Sequence, residues 1–153
     1  MNTIANLLIP EDISLDVKVA DKAHLLDEIG KHMERRHALS RDWVIAGLSR
    51  REQAGSTGLG QGVAIPHARV RDLDRILVAY MRLKPAIPFD APDGKPVSDV
   101  LVLLVPKPAT EEHLRILADA AQMFADIGFR KRLRACAHPQ EVSRTFVDWP
   151  NPA

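Results

Sequence analysis

The spacing of hydrophobic and polar residues along this chain predicts helices that alternate with a few strands. Residues 13–19 alternate between apolar and polar side chains, which indicates a strand with one buried face. Two helical patterns follow over residues 21–39 and 40–55, and each begins at a favourable N-cap, Asp21 in the first and Ser40 in the second. The N-terminal third is therefore expected to hold one strand and two helices.

Further strands are predicted between residues 63 and 106. The segments 63–67 and 75–84 are rich in apolar and β-branched residues, as strands are. The segment 85–99 that follows them is rich in proline, aspartate and glycine, as turns are. The run VLVLLVP over residues 100–106 is apolar without alternation, which is typical of a central strand covered on both faces. We therefore expect a sheet with one deeply buried strand.

The C-terminal third is predicted to be helical. Thr110 is the expected N-cap of a long helix that carries two glutamates in its first turn, where the helix dipole favours anions. A break is expected at Gly128, followed by a short helix and by a last helix that starts at Pro139. The predicted buried stripe of the long helix consists of Leu114, Leu117, Ala118, Ala121 and Phe124.

Length and composition narrow the class of protein. The 153 residues suffice for one domain over residues 1–153 with a substantial core. Interleaved helices and strands predict an α/β sandwich, in which a mixed central β-sheet is flanked by helices on both faces. A net charge of +1 gives no reason to expect nucleic-acid binding. No stretch reaches the roughly 20 apolar residues that cross a bilayer, so we expect a cytoplasmic protein without a membrane span.

Two smaller features receive structural interpretations. The basic run RKRLR over residues 130–134 is interpreted as the solvated face of a helix whose Leu133 points inward. Cys136 is the only cysteine, which excludes an internal disulfide and a zinc site built on several thiolates, and we expect it to be buried.

The segment GSTGLGQGVAIPHAR, residues 55–69, contains four of the eight glycines directly before a Pro-His pair. Glycines allow positive φ and a close approach of the backbone to a ligand, and successive exposed N–H groups form an anion site. No Gly-Lys-Ser/Thr follows, as in a P-loop, and the loop follows a helix rather than a strand, unlike a Rossmann loop. The candidate anion-binding loop residues are Ser56, Thr57, Gly58, Gly60 and Gly62.

His67 is the candidate nucleophile at the end of this loop. A neutral imidazole attacks phosphorus well when its other nitrogen donates to a backbone acceptor, and the transferred group needs nearby donors and cations. Arg51 before the loop and His113 in the first turn of the long helix are candidates for that role. From the residues alone, each also has a structural interpretation: a satisfied strand-end histidine, a solvated helix-end cation and a helix cap. His24, His32, His37 and His138 are interpreted as structural.

The segment STGLGQGVAIPHAR resembles the phosphorylation-site signature of the enzyme IIA domains of the mannitol/fructose class in the bacterial phosphoenolpyruvate-dependent phosphotransferase system. Within this class the chain is most similar to the nitrogen-regulatory IIA proteins. The likeness extends over LLIPEDISLDV, RREQAGSTG, VLVLLVP and HLRILADAAQMF, so it covers nearly the whole chain. It implies a mannitol-type IIA fold for a single type 2 EIIA domain.

The resemblance also implies roles for individual residues. His67 matches the residue that accepts a phosphoryl group from a phosphohistidine on an HPr-type or NPr-type carrier protein. Arg51 matches the arginine that holds the phosphate, and His113 matches the second active-site histidine. No metal and no cofactor is expected. Many members carry Gly-Lys after the histidine where this chain has Ala68-Arg69, and we expect this departure to affect the choice of carrier or target rather than phosphorylation.

Three functions are compatible with this pattern. The first is a regulatory phosphorelay protein, which acts as a phosphoryl carrier rather than as a turnover enzyme. The resemblance implies targets in nitrogen, potassium and carbon metabolism, such as potassium transport systems and sensor kinases. The second is a sugar-specific IIA component of the fructose/mannitol type that passes the group to a IIB partner. With 153 residues we expect no IIB or membrane IIC domain, which favours the first. The third is a hydrolytic or ligand-binding domain, for which two histidines without a nearby carboxylate motif are a poor metal set.

Overall fold

The computed structural model describes residues 2–108 and 110–150, and its centre is a mixed six-stranded β-sheet. The strands are β1 (Ile13–Val17), β2 (Gly58–Gly60), β3 (Val63–Ala64), β4 (His67–Arg69), β5 (Leu77–Ile87) and β6 (Val97–Val105). The order is β1-β5-β6-β3-β2, and β4 also pairs with β6. β5 is antiparallel to β6, whereas β3 and β4 are parallel to it. The prediction of a mixed central sheet is confirmed.

Helices cover both faces of this sheet, as predicted. They are α1 (Thr3–Leu7), α2 (Lys22–His37), α3 (Arg41–Gln53), α4 (Glu111–Ala125), α5 (Ile127–Ala135) and α6 (Pro139–Val147). Apolar residues of α2 and α3 form one core with the sheet, and those of α1, α4, α5 and α6 form the other. The sheet is therefore the middle layer of an α/β sandwich.

β6 is the central strand that its composition predicts. All residues from Asp99 to Val105 are buried, because β5 flanks the strand on one side, β3 and β4 flank it on the other, and both faces are covered. Leu101 and Leu103 belong to one core, while Val102 and Leu104 belong to the other. The continuous apolar run reflects this double coverage.

The helix starts of the N-terminal half are also where the sequence predicts them. Asp21 accepts the backbone N–H of His24 at 2.8 Å, and Ser40 accepts that of Trp43 at 3.3 Å, so each is a true N-cap. α3 ends at Gln53, directly before the glycine loop. The short helix α1 and the 3-10 turn Pro10–Asp12 were not predicted, because five- and three-residue elements carry too little periodicity to be recognised.

The prediction for the buried stripe of α4 was wrong. The side chains that face the core are His113, Ile116, Ala120, Met123 and Phe124, whereas Leu114 is 67% exposed. Of the predicted stripe only Phe124 is buried, Ala118 is exposed, and Leu117 and Ala121 are half-buried. α4 is apolar on two adjacent faces, and helical periodicity alone does not select the face that contacts the sheet. The second face is left at the surface.

The break after α4 lies at Asp126 rather than at Gly128. Asp126 ends α4 and also caps α5, since its Oδ1 accepts the N–H groups of Gly128 at 2.8 Å and Phe129 at 3.3 Å. Gly128 lies inside the first turn of α5. An aspartate N-cap therefore separates the two helices, and no left-handed glycine is needed there.

The remaining interpretations have mixed outcomes. Cys136 is buried, as expected, but Arg130 is buried too, and its Nη1 donates to the carbonyl of Phe124 at 2.7 Å, so the basic run is not a uniformly solvated face. Burial raises the pKa of Asp12, but hydrogen bonds from His32, Arg36 and His37 outweigh it and hold that pKa below its usual value. His24 accepts the N–H of Ala20, and His138 is the N-cap of α6.

Candidate functional site

A cavity of about 490 Å³ lies between the end of α3, the strand β4 and the start of α4. Three of the candidate residues, His67, His113 and Arg51, line it together although 62 positions separate Arg51 from His113 in the chain. The full lining consists of Gly47, Arg50, Arg51, Ala54, His67, Ala68, Arg69, Leu103, Val105, Lys107, His113, Leu114 and Leu117. The fold therefore assembles the constellation that the sequence suggested.

Pro66 explains how His67 reaches the cavity. The predicted strand 63–67 is interrupted after β3 and pairing resumes only where β4 begins, because proline has no N–H for the ladder. The carbonyl of Pro66 still accepts the N–H of Leu103 at 3.0 Å, and pairing with β6 resumes at His67. His67 is thus the first residue of a short strand, half-buried at the cavity wall.

The ring of His67 has a defined tautomer. Its Nδ1 lies 2.8 Å from the carbonyl oxygen of Ile65. Because a carbonyl can only accept, Nδ1 carries the proton in the neutral ring and Nε2 keeps its lone pair. The nitrogen available for nucleophilic attack is therefore Nε2, as the chemistry of phosphorylation requires.

Burial keeps this ring uncharged near neutral pH. Desolvation lowers the pKa of His67 below its ordinary value of 6.5, the hydrogen bond to Ile65 raises it, the charge of Arg51 lowers it and the charge of Glu52 raises it, with a net lowering. The nucleophilic form is the unprotonated one, so the lowered pKa extends its range toward acid.

We predict that His67 is more than half unprotonated at pH 6.5, because its pKa lies below that value. The rate of phosphoryl acceptance should then fall only at a lower pH, as Nε2 becomes protonated. NMR titration of the ring nitrogens checks this directly, and the pH profile of the rate should give the same midpoint. A midpoint above 6.5 for His67 would contradict the prediction.

His113 complements His67 by presenting a donor. It is the third residue of α4, and its Nδ1 accepts the backbone N–H of Thr110 at 3.1 Å. Nδ1 is therefore unprotonated, and in the neutral ring the proton lies on Nε2. One histidine of the cavity offers a lone pair and the other offers an N–H, at the positive end of a helix dipole. His113 can therefore cap α4 through Nδ1, which was its structural interpretation, and still offer Nε2–H to a ligand.

The rim of the cavity is cationic. Arg51 lies in the last turn of α3, and its Nη1 donates to the carbonyl of Gly55 at 2.8 Å, which leaves the other guanidinium N–H groups for a ligand. Arg50, Arg69 and Lys107 add three further positive side chains. No aspartate or glutamate lies among the described lining residues, although the chain as a whole is nearly neutral. Such a rim suits a dianionic phosphoryl group.

The five predicted loop residues are not brought to this cavity; within the described residues, none of them lines it. Ser56 donates to the carbonyl of Phe89 at 2.7 Å and accepts the N–H of Gly58 at 3.0 Å, while Thr57 donates to the carboxylate of Glu52. Gly60 and Gly62 have φ values of 93° and 79°, which explains why glycine stands there. The geometry gives the loop a positioning role, whereas phosphate contact by its five residues stays an untested expectation.

The departure Ala68-Arg69 has a structural counterpart in α3. Ala68 is buried, and a Cβ placed on Gly47 would lie 3.2 Å from the Cβ of Ala68, so the glycine of the helix makes room for the alanine of the strand. Arg69 is exposed and lines the cavity, where it supplies positive charge. Ala68 therefore packs against α3, and Arg69 contributes its charge to the rim of the cavity.

Sequence reasoning missed Glu52, whose side chain is only 5% exposed. A signal was present, because a carboxylate in the last turn of a helix is unfavourable for the helix dipole and needs another reason to be there. It also missed Lys107 and the surface position of Leu114, for which the sequence carries no local signal. Among residues 2–108 and 110–150, no cluster of histidine, cysteine and acidic side chains suits a metal ion.

Comparison with known proteins gives the same family on sequence and on structure. The family model of the phosphoenolpyruvate-dependent sugar phosphotransferase system, EIIA 2, matches residues 6–148. The nitrogen regulatory protein of Pseudomonas aeruginosa is 34% identical over 152 residues, which is 99% of each chain. The crystal structure of nitrogen regulatory protein IIA-Ntr from Neisseria meningitidis is 42% identical with a TM-score of 0.89, and the match covers 94% of this chain and 99% of that one.

This chain belongs to the EIIA 2 family of the phosphoenolpyruvate-dependent sugar phosphotransferase system. The crystal structure of IIA mannitol from Escherichia coli, at 20% identity and a TM-score of 0.74 over 88% of this chain and 95% of that one, shares the fold. The mannitol-type IIA fold expected from the sequence is thus confirmed. In the part of the chain that the structure describes, no helix has the length and apolar character needed to traverse a bilayer.

Proposed function

We propose that this protein is a cytoplasmic phosphoryl carrier that accepts a phosphoryl group on Nε2 of His67 from an HPr-type or NPr-type carrier. The observation that supports it is the meeting of three complementary groups on one cavity: the lone pair of His67, the N–H of His113 and the guanidinium of Arg51. Family membership implies a phosphocarrier as partner.

The transfer balances without a metal or a cofactor. The lone pair of His67 Nε2 forms the new N–P bond, while the N–P bond of the carrier's phosphohistidine breaks and its electron pair returns to the carrier's ring. The proton on Nδ1 of His67 stays in place and donates to the carbonyl of Ile65, which stabilises the imidazolium that forms. The cations of the rim bind the three equatorial phosphoryl oxygens while the two ring nitrogens lie in line with phosphorus, so catalysis rests on positioning and charge.

We further propose that the phosphorylated and unphosphorylated forms bind target proteins differently, as in the regulatory branch of the family. The nitrogen regulatory proteins that this chain resembles over nearly its whole length support this role. A phosphoryl group at His67 would place about two negative charges beside the apolar side chains of Leu114 and Leu117. Such a change converts a cationic and apolar docking surface into one of mixed charge, and that difference is what a target protein reads. Potassium transport systems and sensor kinases are the targets that the regulatory branch suggests.

The test is the intact mass of the protein after incubation with phosphoenolpyruvate, enzyme I and an HPr-type or NPr-type carrier. We expect one added phosphoryl group that mild acid removes, because the phosphorus–nitrogen bond of phosphohistidine is acid-labile. No adduct with either type of carrier would overturn the proposal. Adding a sugar-specific IIB protein separates the two branches: rapid loss of the adduct to IIB would assign the sugar-transport role instead.

The carrier is expected to dock on the exposed apolar face of α4. Replacing Leu114 by serine should raise the KM for the phosphocarrier about tenfold, because Leu114 is 67% exposed at the cavity and offers apolar area to a partner. The rate at saturating carrier should change little, since the ring nitrogens are untouched. Steady-state phosphorylation at varied carrier concentration measures both quantities.

Ile127 provides a matched control for this prediction. It is 60% exposed at the start of α5 and does not line the cavity, so Ile127→Ser removes a similar exposed apolar side chain at another place. The KM should stay that of the unchanged protein. Equal effects of the two substitutions would mean that the carrier docks elsewhere.

A further inference from the structure

Glu52 directly follows Arg51 in the sequence, and the fold buries its side chain. Its carboxylate accepts Nζ of Lys22 at 3.0 Å and the backbone N–H of Thr57 at 3.2 Å, as well as the hydroxyl of Thr57. Its side chain is 5% exposed, and Thr57 is 6% exposed. A buried carboxylate with three donors is held in one orientation, because neither the carboxylate nor a donor can turn away without losing a charged hydrogen bond.

A chain of hydrogen bonds leads from the carboxylate of Glu52 to the ring of His67. The carbonyl of Thr57 accepts the N–H of Ile65 at 3.1 Å, and the carbonyl of Ile65 accepts Nδ1–H of His67 at 2.8 Å. At Thr57 and at Ile65 the chain enters by the backbone N–H and leaves by the carbonyl of the same residue, so the orientation of the Ile65 carbonyl depends on how Thr57 is held. That carbonyl in turn determines which nitrogen of His67 carries the proton.

The same residue also steadies the arginine of the site. The backbone carbonyl of Glu52 accepts the N–H of Gly55 at 3.1 Å, while Arg51 donates from Nη1 to the carbonyl of Gly55 at 2.8 Å. The loop that begins at Gly55 is therefore attached to α3 by the two neighbouring residues. This attachment uses the backbone carbonyl of Glu52, whereas the carboxylate acts on the imidazole of His67 through Thr57.

We propose that Glu52 is a positioning residue for phosphoryl transfer, which holds His67 with its proton on Nδ1 and its lone pair on Nε2 through Thr57 and Ile65. It touches neither the phosphoryl group nor the reacting nitrogen, and it acts through the loop. The inference rests on the proposed function for its consequence on rate, but its geometric part concerns the tautomer of His67 alone.

The test uses Glu52→Gln in the full chain. An amide keeps the shape of the carboxylate, but its NH2 group faces a donor, either Lys22 or Thr57, so the hold on Thr57 weakens. Long-range 1H–15N spectra of the histidine rings should show a larger population of His67 with its proton on Nε2. The single-turnover rate at saturating carrier should fall about tenfold to hundredfold, with little change in the KM for the carrier.

Asp12→Asn is the control for a purely structural effect. It weakens the buried hydrogen bonds of Asp12 with His32 and His37 in the C-terminal half of α2. It leaves the contacts of the glycine loop unchanged. It should lower thermal stability while the ring nitrogens of His67 and the transfer rate stay as in the unchanged protein. If Glu52→Gln leaves the tautomer of His67 unchanged, or changes only stability as Asp12→Asn does, the proposal is wrong.

Thr57→Val keeps the test decisive should Glu52→Gln fail to fold. Valine has nearly the shape of threonine but lacks the hydroxyl that binds Glu52, while the backbone N–H of residue 57 stays, so the same shift of the His67 tautomer is expected with a smaller amplitude. A valine variant with an unshifted tautomer would overturn the proposal as well. The spectra need no phosphate donor, so they still test the role of Glu52 if the protein is never phosphorylated and the proposed function fails.

Discussion

Replacement of His67 by alanine is expected to abolish the acid-labile phosphoryl adduct completely. Nε2 of His67 is the nucleophile of the proposed transfer, and alanine offers no atom that could take its place. The fold should persist, because His67 is half-buried at a strand start and its side chain makes one hydrogen bond, to Ile65. Losing a single such bond costs about 1 kcal/mol, which lowers the melting temperature of a protein of this size by roughly 2–4 °C.

Intact mass and circular dichroism of the same sample separate loss of chemistry from loss of fold. His24→Ala is the matched control, since His24 lies outside the cavity with a side chain that is 43% exposed. It should be phosphorylated like the unchanged protein. An adduct of equal amount on His67→Ala would place the phosphoryl group on another residue and would refute the site.

The parts of the fold that the sequence predicted are those where a local pattern has one physical cause. The apolar run that became β6 needs cover on both faces, and only a central strand provides it. Asp21 and Ser40 are N-caps in the structure, because a short polar side chain before a helix satisfies its first free N–H groups. In each case the decisive interaction lies within a few residues of the pattern.

The predictions from sequence were wrong where residues far apart in the chain determine which side chains are buried. α4 has two apolar faces, and its contact with the sheet buries Ile116 and Met123 while Leu114 stays outside. Nothing within α4 distinguishes the two faces, so the choice depends on the packing partner. Leu114 lies on the second apolar face of α4, which packing against the sheet leaves at the surface.

Some residues of the candidate site could be predicted from the sequence, and others could not. His67 could be named from a specific motif, Arg51 and His113 from the family resemblance, and the fold brings all three to one cavity. The function of the glycine loop could not be deduced, since glycines indicate an unusual backbone but not what the backbone serves. Thr57 and its neighbours bind protein groups, and hydrogen bonds link the loop to His67. The burial of Glu52 and its contact with Thr57 could be recognised only in the folded chain.

Replacement of Arg51 by alanine is expected to slow phosphoryl transfer by roughly 100-fold to 1000-fold, or about 2.7–4 kcal/mol, the usual cost of removing one fixed donor to a developing charge. Arg51 is fixed because its Nη1 binds the carbonyl of Gly55, which aims the rest of the guanidinium at the cavity. Stability should fall by less than about 1 kcal/mol, since what the helix end loses is a half-exposed cation near its C-terminal dipole.

Arg50 distinguishes a fixed donor from general positive charge. It precedes Arg51 on the same helix and lines the same cavity, yet it is exposed and its side chain makes no hydrogen bond or ion pair with any described residue. Arg50→Ala should therefore slow transfer by less than about tenfold, because solvent and salt screen a mobile charge. Arg51→Lys should lie between the two, as lysine keeps the charge without the planar fork. Single-turnover rates of the three variants rank them, and equal small effects at positions 50 and 51 would reduce Arg51 to one solvated cation among several.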